Sequence, residues 1–163
     1  MDAVTLMIKA FFDKDDADYE LIENSEEGVD IFKVGFLMDH EDICVKISVV
    51  KEKQMYTIRG ASNFNSVPQR NINGALRAIN EANQVLPQGC LYLDTETGLI
   101  IFSSGTHTDG LTFSEETFLG SLNVCIHALD NLTGKIIRDA AIYQPLMETS
   151  SSRSLWSRLF PRK

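Results

Sequence analysis

The sequence predicts an α+β fold, an antiparallel sheet with its helices on one face. Three observations predict it. Period-two apolar runs cluster between residues 19 and 60 and again between 90 and 103. Helical periods occupy both ends and the interval between those clusters. The turns between strands are short and polar, which makes consecutive strands antiparallel neighbours. The expected order is α-β-β-β-β-α-β-β-α, with the first four strands a meander.

Residues 3–12 place Val4, Met7, Ile8, Phe11 and Phe12 on one helical face. The run from Asp13 to Asp18, interrupted only by Lys14 and Ala17, ends that helix in solvent. It lacks the central glycine and closing glutamate of a calcium loop. Tyr19 to Glu23 is the first strand, and Asn24 to Gly28 its turn. Val29 to Met38 is apolar on both faces, with Phe32, Val34, Phe36 and Met38 on one side and Val29, Ile31 and Leu37 on the other. After Asp39 to Asp42, Ile43, Val45, Ile47 and Val49 alternate with Cys44, Lys46 and Ser48. Lys51 to Gln54 turns the chain again, and Met55 to Arg59 returns with Tyr56 and Ile58.

Ser66-Val67-Pro68-Gln69 has the form of a helix start. Ser stands three before Gln, and Pro lies in the first turn, where a missing N–H costs nothing. Ile72, Ala75, Leu76, Ile79 and Leu86 follow at helical spacing. Asn73-Gly74 alone would signal a turn, but the period continues past it. Gly74 then permits close packing against the sheet, and Pro87-Gln88-Gly89 stops the helix. Cys90 to Asp94 and Leu99 to Ser103 form a hairpin around Thr95-Glu96-Thr97-Gly98. A polar loop, Ser104 to Gly110, leads to the last helix. Ser114 is its N-cap, and Phe113 can staple onto Phe118. Phe118, Leu122, Ile126, Leu129, Ile136 and Ala140 give its buried face, and Gly134 is where it would bend or break.

The chain has 163 residues, 44% of them apolar and 23% charged. That suits one folded domain, too apolar for disorder and too interrupted by charge for a membrane span. The net charge is −8. The segment 149–163 holds Arg153, Arg158, Arg162 and Lys163 and no acid, so it carries +4 and leaves −12 on 1–148. We divide the chain accordingly, into a single α+β domain over 1–148 and a basic, Ser-rich tail over 149–163. An acidic body repels phosphate backbones, so no nucleic-acid partner is expected. Cys44, Cys90 and Cys125 are too few and too widely spaced for a disulfide framework. Each sits in an apolar run and reads as a small buried residue in a reducing compartment. The first residues lack the basic-then-apolar pattern of a secretion signal, so a cytoplasmic location is expected.

Catalytic constellations are missing. His40, His107 and His127 have no His or Cys at ligand-pair spacing, so no metal is expected. Ser103 to Gly110 offers hydroxyls, an imidazole and a carboxylate, but no G-x-S-x-G elbow. No glycine loop for phosphates occurs. We expect no catalytic residue and no cofactor. In the tail, Leu155, Trp156, Leu159 and Phe160 would share one side of a helix with Arg158 opposite, a short anchor for a partner groove or an anionic membrane surface. Contact with a membrane is not expected, because four positive charges and one short segment bind lipid weakly.

Residues 75–102 carry a resemblance. Ala75-Leu76-Arg77-Ala78-Ile79-Asn80-Glu81-Ala82-Asn83, then Leu86-Pro87-Gln88-Gly89-Cys90-Leu91-Tyr92-Leu93-Asp94, then Gly98-Leu99-Ile100-Ile101-Phe102 resembles the YbjN family, assigned to bacterial sensory-transduction regulation. The shared pattern is a helix ending in two asparagines, a Pro-x-Gly exit, a strand hairpin and a helix opening on a Ser-Glu pair, here Ser114-Glu115. As an order of elements the resemblance spans about residues 3–143. That family is similar in fold to the type III secretion chaperones, which are small, acidic and dimeric and hold a client segment on the sheet and in apolar grooves. The resemblance implies a chaperone-like fold and a homodimer with a protein or peptide partner. It supplies no catalytic residue. Asn80 and Asn83, three apart, share a helix face. Buried near Pro87 and Gly89, their amides would bond the backbone leaving the helix.

The expected function is therefore a non-enzymatic protein-binding module, holding a partner by strand addition and apolar grooves. The alternative is a signalling or stress-response adaptor that docks to a partner or membrane surface through the Trp156 tail.

Overall fold

Asp2 starts the first helix by accepting a hydrogen bond from the Val4 N–H through its side chain, 3.1 Å. The computed structural model describes residues 2–24, 28–108 and 113–143. Helix α1 covers Ala3–Lys14 and closes where Asp16 takes a positive φ of 50°. The strands are β1, Tyr19–Asn24; β2, Val29–Leu37; β3, Asp42–Val50; and β4, Met55–Ser66. Helix α2 is Ile72–Asn83, β5 is Cys90–Leu93, β6 is Leu99–His107, and α3 is Glu115–Ile142. This is the expected α+β order.

All six strands join one antiparallel sheet in the order β1-β2-β3-β4-β6-β5. The meander holds through β4. The last hairpin then returns with β6 beside β4, which leaves β1 and β5 as the edges. The alternation of β3 buries Ile43, Val45, Ile47 and Val49 and turns Cys44 and Lys46 to solvent. The same parity buries Phe32, Val34, Tyr56, Ile58, Ile100 and Phe102. The three helices cover that face, and their buried side chains join the sheet's in a single core.

Phe118 centres the core. Its ring lies 5.2–6.1 Å from the rings of Phe11, Phe12, Tyr56 and Phe113. Burying one such ring is worth roughly 2–3 kcal/mol. Ser114 caps α3 by accepting from the Thr117 N–H at 3.1 Å, and Phe113 packs on Phe118 at 5.4 Å as the staple. Helix α3 approaches the sheet at Gly60. A Cβ there would lie 2.6 Å from the Cys125 Sγ and 2.8 Å from the Leu129 Cδ1, so only hydrogen fits.

Several local expectations give way to longer-range pairing. Ser66 caps no helix. It is the end of β4, opposite Leu99, and the Val67 N–H donates to the Gly98 carbonyl at 2.8 Å. Pro68 precedes a short 3-10 turn, Gln69–Asn71, and α2 begins at Ile72 without a side-chain cap. Ser104 to His107 are not loop, because pairing with β4 extends β6 through them. Cys44 and Cys90 are exposed and only Cys125 is buried, since strand parity sets the first two opposite the core. Leu76 is 45% exposed. Gly74 meets α3 and not the sheet, as a Cβ there would lie 2.6 Å from the Ala140 carbonyl. Gly134 neither breaks nor ends α3, which runs 28 residues. The tail with Leu155, Trp156, Leu159 and Phe160 lies outside the described residues, as do Asp109 and Gly110.

Candidate functional site

The exit of α2 and the outer side of α3 form a groove of about 360 Å³. Val85, Leu86 and Pro87 make one wall, and Val124, Ala128 and Leu132 the other. The helical period explains the second wall, since positions 124, 128 and 132 recur at i+4. They flank the stripe buried on the sheet. Asn123, His127 and Asn131 supply the polar lining. Val85 is 76% exposed, a large apolar side chain left uncovered among the described residues.

Asn83 fixes the first wall. Its Nδ2 donates to the Leu91 carbonyl at 2.9 Å, and its Oδ1 accepts from the Leu91 N–H at 2.7 Å. The amide thereby imitates one residue of a neighbouring strand. Gln88 adds a tie across to α3, donating from Nε2 to the Ser121 Oγ at 3.1 Å. Pro87 lines the groove. Gly89 turns the chain with φ +70°, and a Cβ on it would sit 2.4 Å from the Phe102 ring. The two asparagines do not act together. Asn80 is exposed and makes no such bond, because it stands nearly one helical turn before Asn83, farther from the exit that meets β5.

Asn83 also changes the character of that edge. Outward backbone groups alternate along an antiparallel strand, so Leu91 and Leu93 carry those of β5. The pair on Leu91 is already used. The outer edge of β1 has no such cover among the described residues.

A second, polar pocket of about 470 Å³ adjoins the groove, and Asn131 lines both. Asp130, 7% exposed, accepts from the N–H groups of His40 and Glu41 at 2.9 and 3.1 Å. Its second oxygen faces the His40 Nδ1 at 3.3 Å. Desolvation pushes the Asp130 carboxyl upward, but the bonds from His40 and Glu41 together outweigh it and hold it below the ordinary range. Glu41, 5% exposed, accepts from the Ser62 Oγ and the Asn65 Nδ2. These bonds pin the β2–β3 connection onto α3 and the irregular end of β4. The carboxylates therefore act as anchors, with every oxygen facing at least one protein donor.

Sequence reasoning passed over Glu41 and Asp130. The available signal was an acid directly after Leu129, beside the apolar stripe of α3. His40 lies in the β2–β3 connection, His107 at the end of β6 and His127 on α3. Among the described residues no three His, Cys, Asp or Glu side chains converge as a metal site. No helix among them is long and apolar enough to cross a membrane.

No family model matches the chain, and no curated protein matches it in sequence. Solved structures match its fold. An uncharacterized protein from Methanothermobacter thermautotrophicus aligns with a TM-score of 0.58 at 15% identity, over 83% of this chain and 97% of its own. YbjN from E. coli aligns with a TM-score of 0.56 at 10% identity, over 84% and 91%. A chain from the crystal structure of the ExsC–ExsE complex aligns with a TM-score of 0.51 at 14% identity, over 82% and 98%. At these identities the likeness is one of architecture, and the α+β fold is that of YbjN and the type III secretion chaperones.

Proposed function

We propose that this chain is a non-enzymatic binding module for a polypeptide, chaperone-like or regulatory in role. One observation carries the reading. An uncovered apolar groove, walled by Val85, Leu86 and Pro87 against Val124, Ala128 and Leu132, is held open by the Asn83 and Gln88 bonds. Pre-organised walls reduce the ordering cost of binding. The fold shared with a chain of the ExsC–ExsE complex, a structure of two proteins together, supports a protein as the occupant. The segment that fills the groove presents apolar anchors, and β1 is the edge open to strand addition. The buried acids bind protein donors, which favours surfaces over reactive groups as the working part.

The test is selection of peptides from a displayed library against the whole chain, followed by NMR mapping. Bound peptides are expected to shift Val85, Val124 and Leu132. Val124→Asp is expected to weaken them at least about tenfold, the loss of one apolar anchor. Selected peptides that map elsewhere, or a library that yields no binder, would overturn the reading.

The proposal includes a homodimer, for which light scattering should give twice the 18.2 kDa of one chain. It also includes a cytoplasmic setting, supported by the exposed free thiols of Cys44 and Cys90, which suit a reducing compartment.

A further inference from the structure

The helix-free face of the sheet carries a row of cations. Strand register sets Lys33 opposite Lys46, and Lys46 opposite Arg59. Directly paired residues point to the same face, so three positive side chains from three adjacent strands stand together. The row continues to Glu20 at one end and to Ser103 and Cys90 at the other. Glu20 binds Lys33 at 3.0 Å. Lys46 and Arg59 are exposed and have no ion pair among the described residues.

The placement works against stability. Like charges directly opposite one another destabilise a sheet. It also works against composition, because 1–148 carries −12. The neighbouring rows are Ile31, Ser48 and Thr57 on one side and Gly35, Cys44 and Ala61 on the other. The second row is small throughout, and nothing lies within 4 Å of a Cβ added to Gly35. On that side the cations stand clear above a low surface, while Ile31 gives Lys33 an apolar flank on the other.

We propose that this open face, centred on Lys33, Lys46 and Arg59, docks an acidic segment of a partner polypeptide. The charge complementarity selects the occupant. Strands lie about 4.8 Å apart, so the row spans roughly 10 Å, and acids at i and i+2 of an extended segment, about 6.8 Å apart, reach two of its cations. A second copy laid face to face would set cation row against cation row. A nucleic acid presents a charge about every 1.7 Å along its length and would meet the acidic body beyond the row. The proposal goes beyond the groove, which lies on the helical side of the molecule.

The test is fluorescence anisotropy of the whole chain with a labelled peptide of about ten alternating Glu and Thr residues, long enough to span the row. Binding is expected and should weaken with added salt. Lys46→Glu with Arg59→Glu should lower affinity at least about tenfold. Lys53→Glu with Arg70→Glu makes the same charge change elsewhere and should leave binding intact, as should Val124→Asp in the groove. Lys46→Thr with Arg59→Thr relieves the like-charge crowding, so it should keep or raise Tm while also losing the peptide. The proposal is overturned if wild type does not bind, if both Glu pairs weaken binding equally, or if the Thr pair binds as wild type does. Tighter binding to a duplex DNA oligonucleotide or to phosphatidylserine vesicles overturns it as well.

Discussion

Asn83 on α2 and Leu91 on β5 are joined by two hydrogen bonds, of 2.9 and 2.7 Å, that satisfy both backbone groups of Leu91. One side chain thereby ties a helix to a sheet edge, fixes a groove wall and blocks part of the edge to other strands. Asn83→Ala leaves a part-buried N–H and carbonyl without partners, a loss of about 2 kcal/mol. Asn83→Asp keeps the acceptor but sets a carboxylate oxygen against the Leu91 carbonyl. It should be the more destabilising of the two at neutral pH, as read by chemical denaturation.

Asp130 makes stability depend on acid. Its carboxyl is held below 3.8, so the folded state favours the ionised form more than the unfolded chain does. The stabilisation is complete above the unfolded value and is lost as pH falls through the lowered folded one. Asp130→Asn should therefore be less stable than wild type by a constant amount above about pH 5, and the gap should close below about pH 4. Parallel denaturation series of the two proteins across that range check this. A gap that widens on acidification would contradict the anchor geometry at His40 and Glu41.

The three thiols should divide two to one. Burial pushes the Cys125 thiol up to about 12, while Cys44 and Cys90 are exposed. A thiol reagent should label two cysteines in the native protein and the third only on unfolding. Cys44 and Cys90 sit on β3 and β5, three strand spacings or roughly 14 Å apart, too far to bridge. Mass spectrometry after oxidation should find no disulfide within one chain. Equal labelling rates for all three would mean that α3 does not seat on Gly60.

Some features were legible because their causes are local. Ile43 to Val49 announce a strand through alternation alone, and Ser114 with Phe113 and Phe118 announces a helix start within six residues. Ser66 misled for the opposite reason. Its motif is sound, but pairing with Leu99, 33 positions along, outweighs a cap. Asp130 was illegible because its partners His40 and Glu41 lie 90 and 89 positions away. The cation row needed two registers at once, since Lys33, Lys46 and Arg59 recur every 13 residues, a spacing that neither the helix nor the strand period announces. The resemblance over 75–102 located Asn83, but not that Leu91 would be its target or that Asn80 would stay in solvent.

From the sequence alone came the kinds of elements, their order and the parity of β3, because side-chain hydrophobicity acts through the periods of helix and strand over a few residues. Tertiary structure alone decided that β6 lies beside β4, that Gly74 meets α3, and that groove, acid anchor and cation row exist. Those depend on which distant segments share a register, and that choice belongs to the packing energy of the whole core.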